Sequence, residues 1–161
     1  MFIEEFNVNE LLNDVADTFM PLVEKNQSVL DIQVSDEIAQ MQNDITKLRQ
    51  NLFNLLSNAV KFSKESTISL SVFCDRGSAG DLIVFEVQDQ GIGMTEEQLE
   101  SIFEPFTQAD SSTSKRFGGT GLGLTITREF SRLMGGDVTV DSRIGEGTTF
   151  TMKVLGNANL G

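Results

Sequence analysis

The order of helical and strand patterns along the 161 residues is the feature that most constrains the fold. Apolar residues recur every three or four positions in Leu11–Val23 and again in Leu48–Ala59, which predicts two amphipathic helices. Asn9 and Asp44 are the N-caps that we expect, because a short polar side chain before such a pattern accepts from unpaired helix N–H groups. The first helix should end near residues 25–26 and the second at Phe62.

Two-residue alternation of apolar and polar side chains predicts β-strands between and after the helices. These strands are Glu4–Phe6, Val29–Val34, Thr67–Phe73, Leu82–Val87, Val138–Val140 and Thr148–Val154. The glycine-containing segment Asp75–Asp81 predicts a hairpin between two of them, and the segment Ser142–Gly147 joins the last two.

Two shorter patterns complete the set of predicted elements. Thr95 and Gln98 have the spacing of a capping box, which predicts a short helix, and another helix is predicted from about Leu122 to Met134. This order of elements predicts an α/β two-layer sandwich, in which a mixed, mostly antiparallel sheet of about five strands is covered on one face by about three helices. We expect one domain over residues 1–155 and a frayed tail over residues 156–161.

Composition excludes several kinds of chemistry. The chain has no histidine, which rules out His-based acid–base catalysis, Ser-His-Asp hydrolysis and His-ligated metal sites. Its single cysteine excludes an internal disulfide and a cysteine-only zinc site, and fits a reducing compartment. A net charge of −12 argues against a broad nucleic-acid or anionic-membrane surface. No apolar run reaches the roughly 18 residues of a membrane helix, so we expect a cytoplasmic domain without membrane contact.

Four glycines lie within residues 118–123, directly before the last predicted helix. Glycine-rich backbone at a helix N-terminus is suited to binding a phosphate group, because unpaired N–H groups and the positive end of the helix dipole face the ligand. The segment is not a P-loop, since no lysine follows, nor the dinucleotide pattern, since Leu124 and Ile126 replace its last glycine. It ends the polar segment Phe103–Gly121, whose length is typical of a functional lid or a disordered loop.

A polar stripe runs along the second long helix. Asn51, Asn54, Asn58 and Lys61 are spaced by three, four and three residues, so they share one face. Such a stripe is either a solvated outer face or a row of amide oxygens and one ammonium that faces a ligand. An amide oxygen is a ligand suited to Mg²⁺ that keeps most of its shell from phosphates and water.

A second candidate site follows the strand Leu82–Val87. Asp89 stands at its end, with Gly91 and Gly93 alternating just after it. This arrangement is either a simple turn or an acceptor for the amine of a planar ligand such as adenine, whose ring lies over the glycines. Lys115 and Arg116 precede the glycine-rich segment and are the local cations that an acidic nucleotide-binding protein needs.

Five motifs together resemble a known family. They match, in order, the N, G1, F, G2 and G3 boxes of sensor histidine kinases, which belong to the GHKL ATPases: Asn54–Phe62, Asp89–Gly93, Phe103–Phe106, Gly119–Leu124 and Gly145–Thr148. The resemblance extends over nearly the whole chain, and the segment from residue 103 to 124 looks especially like hybrid sensor kinases. It implies a domain that binds ATP and Mg²⁺ beneath a long lid.

The resemblance also implies a role for particular residues. Asp89 would accept from the adenine amine, directly and through water, with Thr148 nearby, and Gly91 and Gly93 would leave room for the ring. Asn58 would hold the Mg²⁺ that bridges the phosphates.

Other residues would act on the phosphates in the same family pattern. Asn54 and Lys61 would assist phosphate binding, and Arg116 would reach the terminal phosphates from the lid. The lid hinge and its backbone amides would come from a run of five residues: Gly119, Thr120, Gly121, Leu122 and Gly123.

One position separates the branches of the GHKL proteins. In the hydrolytic branch, a Glu one helical turn before the magnesium-binding Asn activates water, and Asn54 stands in that place here. An amide oxygen is no base at neutral pH, so the resemblance implies transfer of the γ-phosphoryl group to an external nucleophile.

The acceptor would be a histidine on a helical dimerisation domain of the parent kinase, with a response regulator acting downstream. We expect the isolated domain to be a monomer, in the cytoplasm, from a parent that a membrane could anchor. Two alternatives stay open at this point: a nucleotide-gated interaction module without catalysis, and a GHKL ATP hydrolase.

Overall fold

The structure is a computed structural model that describes residues 1–77, 80–104 and 123–158. Its elements, in chain order, are β1 (Glu4–Asn7), α1 (Val8–Lys25), β2 (Val29–Val34), β3 (Gln40–Asn43), α2 (Ile45–Phe62), β4 (Thr67–Gly77), β5 (Gly80–Asp89), α3 (Glu96–Ser101), α4 (Gly123–Leu133), β6 (Asp137–Arg143) and β7 (Gly147–Leu155). None of the helices in these ranges combines the length and the apolar character that crossing a bilayer requires.

The main sheet has five strands in the order β2-β4-β5-β7-β6. β2 pairs with β4 in parallel, and the other neighbours are antiparallel. This confirms the predicted mixed, mostly antiparallel sheet. Strands β1 and β3 form a separate antiparallel pair.

One face of the sheet is apolar, and this face carries the core. Opposite residues in antiparallel pairs project on the same side, so Leu70, Val87, Phe150 and Val140 form one row across four strands. The next row inward is equally apolar. Residues of the opposite face, such as Glu86, are mostly polar. The helices therefore have one face to cover.

Helix α1 begins two residues earlier than we expected. The N-cap is Asn7, whose Oδ1 accepts from the Glu10 N–H at 3.0 Å, so the prediction of Asn9 was wrong. The reason lies in tertiary packing, because Val8 is fully buried and its N–H donates to the Ala39 carbonyl at 3.0 Å. The C-terminal end at Lys25 agrees with the prediction.

Asp44 caps α2, as the sequence predicts, and is itself buried. Its carboxylate accepts from the Lys47 N–H at 3.1 Å and from the Phe2 N–H at 3.0 Å, and it pairs with the Lys47 ammonium at 3.4 Å. Burial works to raise the pKa of Asp44, but the hydrogen bonds from Phe2 and Lys47 outweigh burial and lower the pKa. The cap thus joins the N-terminal segment to the start of α2.

The core forms between the long helices and the apolar sheet face. α2 buries Leu48, Leu52, Leu55, Leu56 and Ala59, the stripe that the periodicity predicts. α1 contributes a second stripe, which consists of six buried side chains: Val8, Leu11, Leu12, Val15, Phe19 and Val23. The capping box of α3 is also confirmed, with Thr95 and Gln98 bonded reciprocally.

Strand β3 was not predicted, because its sequence contains one apolar residue, Met41, and no alternation that would indicate a strand. It exists through its partners. Besides the β1 pairing, the Gln42 N–H donates to the Gly156 carbonyl at 2.9 Å, and the Ala158 N–H donates to the Gln42 carbonyl at 2.8 Å. The fraying that we expected of the whole tail therefore does not hold for residues 156–158.

Both predicted hairpin loops are shorter than expected. Strands β4 and β5 stay paired as far as Gly77 and Gly80, inside the segment that we expected to be a turn. Strand β6 continues through Ser142 to Arg143, where we expected a connection. The added residues include Asp75, Arg76, Gly77, Ser142 and Arg143, so alternation of apolar residues could not reveal these pairs.

Replacement of Asp44 by alanine should lower the free energy of unfolding by about 1–2 kcal/mol, because α2 loses its cap. Urea unfolding at pH 7 measures the change. Since the folded pKa is lowered, the contribution of Asp44 is present above the pKa of the unfolded chain and is lost as pH falls through the folded pKa. The matched control is Asp36→Ala at an exposed position, where we expect little change. Equal effects of the two substitutions would contradict the capping role.

Candidate functional site

The candidate site lies at the end of the apolar sheet face, where the strands β5, β7 and β6 carry one polar row. Asp89 ends β5 and stands opposite Thr148 on β7, which stands opposite Ser142 on β6. All three side chains project from the face that carries the core two residues further in. The row is nearly closed to solvent, with Asp89 5% exposed and Thr148 and Ser142 each 8% exposed.

Asp89 is an acidic acceptor in a nearly dry position. Its Oδ1 accepts from the Gly91 N–H at 2.8 Å. Burial raises the pKa of Asp89, and the backbone hydrogen bonds from Gly91 and Thr148 oppose this rise without cancelling it. A carboxylate held this way is well suited to accept from a buried N–H donor of a ligand.

The glycines beside Asp89 are required by close backbone packing. A Cβ on Gly91 would collide with the Phe62 carbonyl at the end of α2. Gly93 has φ +73°, and a Cβ there would collide with the Arg143 carbonyl. The loop after β5 is thus pressed between α2 and the hairpin of β6 and β7. That these glycines also leave room for a planar base remains a prediction.

Asn51 does not belong to a ligand-facing row. It is fully buried, and its amide nitrogen donates to the Thr127 carbonyl at 3.1 Å and to the Ser131 Oγ at 3.2 Å. Both partners lie on α4. The interpretation of Asn51 as part of a solvated or ligand-facing stripe was therefore wrong, because α4 packs over this part of α2.

Asn54 also contacts α4, but at the edge of the interface. Its amide nitrogen donates to the Gly123 carbonyl and to the Thr127 Oγ1, both at 3.1 Å, and the Thr127 hydroxyl donates to the same Gly123 carbonyl at 2.8 Å. Asn54 therefore fixes the first turn of α4, which directly follows the glycine-rich segment. Thr127, which joins this contact, carried no signal in the sequence analysis.

Asn58 and Lys61 follow Asn54 along α2 and are both half-buried. Asn58 lies one helical turn after Asn54 on the same side of the helix.

Arg116 and the glycine-rich residues Gly119, Thr120, Gly121 and Leu122 lie outside the described residues, so their predicted roles stay predictions. The described ranges contain no group of three or more Cys, Asp or Glu side chains that could hold a metal ion.

Ser142 is the polar residue of the site that sequence reasoning missed. Its Oγ lies 2.9 Å from the Met94 nitrogen, 2.9 Å from the Gly147 carbonyl and 2.8 Å from the Thr148 Oγ1. Only the register of β6 against β7 reveals it, since Ser142 and Thr148 face each other across the hairpin.

Comparison with known proteins assigns the family. The family described as histidine kinase-, DNA gyrase B-, and HSP90-like ATPase matches residues 43–157, which is most of the chain and includes the whole polar row. The chain belongs to this family. Its N-terminal part, α1 and strands β1 and β2, lies before the matched residues.

Relatives of this histidine kinase-like ATPase domain are sensor kinases. The circadian input-output histidine kinase CikA of Synechococcus elongatus is 41% identical over 127 residues, which cover 78% of this chain and 16% of CikA. The solved catalytic domain of histidine kinase ThkA superposes with a TM-score of 0.82 at 27% identity, covering 99% of each chain. Full-length ShkA in complex with AMPPNP superposes with a TM-score of 0.81 at 30% identity, covering 96% of this chain and 31% of ShkA.

These comparisons confirm the fold and the function class that the motifs predict. The chain is an ATP-binding catalytic domain of the sensor histidine kinase type. It spans about a sixth of the length of CikA.

Replacement of Asp89 by asparagine should stabilise the fold at neutral pH. It should also weaken ATP binding by at least about tenfold, because the ligand loses a hydrogen bond to a charged group. Asparagine keeps an oxygen for the Gly91 N–H but removes the buried charge. Because burial raises the folded pKa, the charged form costs stability above that pKa, and the cost disappears as pH falls towards the pKa of the unfolded chain. The gain in stability from Asp89→Asn should therefore shrink as pH falls over the same range.

Urea unfolding between pH 4 and pH 8 measures the stability, and calorimetric titration measures ATP binding. The exposed Asp141 on β6 supplies the matched control Asp141→Asn, for which we expect neither change. A variant at Asp89 that is less stable at pH 7, or that binds ATP normally, would contradict the assignment.

Proposed function

We propose that this domain binds Mg-ATP and supplies the γ-phosphoryl group to a histidine on a separate helical dimerisation domain. The observation that carries the proposal is the buried carboxylate of Asp89 at the end of β5, beside a loop in which backbone packing requires glycine at positions 91 and 93. A buried acceptor that costs stability is typical of a ligand site, and membership of the family supports adenine as its ligand.

At the base end of the site, Asp89 accepts from the exocyclic amine of adenine, and Thr148 lies beside it. The two residues occupy directly opposite positions on β5 and β7. Gly91 and Gly93 keep the loop close to its neighbours, because a Cβ on Gly91 would collide with the Phe62 carbonyl and one on Gly93 with the Arg143 carbonyl.

At the phosphate end, Asn58 would offer an amide oxygen to Mg²⁺, which would take its remaining ligands from phosphate oxygens and water. A single neutral oxygen fits this ion, because Mg²⁺ in nucleotide sites keeps most of its shell from substrate and solvent. Bound there, the metal would neutralise charge that develops on the phosphates. Lys61 and Arg116 supply the cations that the acidic chain needs beside them, and the glycine-rich residues 119–123 supply backbone amides and a hinge for the lid.

The contacts of Asn54 refine its proposed role. Its amide nitrogen is already bonded to α4, so the oxygen is the part that it offers to a ligand. An oxygen acceptor suits a metal-bound water better than a phosphate oxygen. Neither that amide nor any histidine, which the chain lacks, can act as the base that hydrolysis needs.

The phosphoryl group therefore leaves for an acceptor outside this chain. We propose that the acceptor histidine lies on the dimerisation helices of the parent kinase and that a response regulator acts downstream. The share of CikA that the chain covers leaves ample length for such domains in a relative. We expect the isolated domain to be a cytoplasmic monomer, because dimerisation in this scheme belongs to the helices.

Replacement of Asn58 by alanine should remove most of the Mg²⁺ dependence of nucleotide binding. Calorimetric titration with AMPPNP, with and without Mg²⁺, measures the dependence. The exposed Asn9 on α1 provides the matched control Asn9→Ala, which should keep the wild-type dependence. Retention of full dependence in Asn58→Ala would refute the assignment of Asn58 to the metal.

Phosphoryl transfer tests the function itself. With radiolabelled ATP and a helical partner that carries a histidine, we expect label on the partner and steady-state hydrolysis far below the usual enzyme range of about 1–1,000 s⁻¹. Binding without transfer would favour a nucleotide-gated interaction module. Turnover of about 1 s⁻¹ without a partner would favour a hydrolase, and failure to bind ATP would refute the proposal entirely.

A further inference from the structure

The Ser142 hydroxyl connects the site to three neighbours at hydrogen-bond distance. They are the Met94 N–H, the Gly147 carbonyl and the Thr148 hydroxyl, at 2.9, 2.9 and 2.8 Å. Both hydroxyls are buried, with 8% exposure each, so water has little access to replace any of these partners. The positions of the protons can therefore be worked out from the partners.

A serine hydroxyl has one proton to donate and two lone pairs to accept. The Met94 N–H is a donor, so it occupies one lone pair of the Ser142 Oγ. The Gly147 carbonyl is an acceptor, so it takes the single proton of Ser142. The contact between Ser142 and Thr148 must then be donated by Thr148, into the second lone pair.

This arrangement determines what Thr148 can offer to a ligand. Its only proton is directed at Ser142, so its Oγ1 presents lone pairs alone. Asp89, directly opposite on β5, is an acceptor as well. Two acceptor side chains therefore lie opposite each other on β5 and β7, and a base that places an acceptor against them meets no donor from either side chain.

We propose that Ser142 is a positioning residue that sets the polarity of the Thr148 hydroxyl and thereby strengthens the preference for a 6-amino purine over a 6-oxo purine. The inference rests on the proposed adenine-binding role of Asp89 and Thr148. Ser142 does not contact the base in this scheme but acts through Thr148. Without Ser142, the Thr148 proton is released and can be donated to the oxygen of a 6-oxo purine.

The experiment compares ATP with inosine triphosphate, which carries an oxygen in place of the amine. Calorimetric titration gives the ratio of the two Kd values for wild type, Ser142→Ala, Thr148→Val and the double variant. Wild type should bind ATP more tightly than inosine triphosphate. We expect Ser142→Ala to reduce the ratio of the inosine triphosphate Kd to the ATP Kd about threefold to tenfold, the usual effect of one hydrogen bond. In the Thr148→Val background, removal of Ser142 should leave the ratio unchanged.

Two further variants separate positioning from stability. Ser131→Ala removes another buried hydroxyl, on α4, and should lower stability without altering the ratio. Ser142→Thr keeps a hydroxyl at the site and should keep the wild-type ratio. If Ser142→Ala fails to fold, NMR of the wild-type domain still tests the scheme, because the Thr148 hydroxyl proton should exchange slowly and show contacts to Ser142.

Each failure has a distinct meaning. A wild-type preference for ATP that survives unchanged in Ser142→Ala overturns the role of Ser142 alone. That role is also overturned if the narrowing occurs in the Thr148→Val background as well, or if the Thr148 proton exchanges rapidly. A wild-type domain that does not distinguish the two nucleotides overturns both this inference and the proposed adenine site.

Discussion

Packing of α2 onto the single apolar face of the sheet is the interaction on which the rest of the structure depends. The stripe of buried leucines, including Leu48, Leu52 and Leu55, holds the helix in place, and each such side chain contributes about 1.5–3 kcal/mol through burial. Because the stripe faces the sheet, the adjacent polar side chains Asn51 and Asn54 of the same helix turn towards α4. The end of α2 also reaches the loop after β5, where the Phe62 carbonyl packs against Gly91.

The candidate site is the place where the apolar face ends. The rows of the sheet change from Val87 and Phe150 to Asp89 and Thr148 within two residues. A buried carboxylate with a raised pKa costs folding free energy at neutral pH, and the proposed role of Asp89 as the acceptor for a ligand would account for that cost.

A second, polar interface links this frame to the segment that follows the proposed lid. Asn51 and Asn54 bond α2 to Thr127, Ser131 and Gly123 on α4. Hydrogen bonds are directional, so they fix the rotation of α4 more closely than apolar packing alone would. The first residue of α4, Gly123, is thereby anchored to the same helix that carries Asn58.

The sequence by itself determined the long helices, most of the strands and the family, and it predicted the candidate site residues. Periodicity gave both long helices, Asp44 gave the start of α2, and the five motifs gave the ATP-binding class, because these signals are local or lie in residues whose chemistry is specific. Only the tertiary structure decided what depends on partners distant in the chain. β3 exists through pairing with β1 and the residues after β7, Asn51 is buried because α4 covers it, and Ser142 faces Thr148 only in the observed register. A side chain's neighbours across a sheet or between helices are set by long-range packing, which no local pattern encodes.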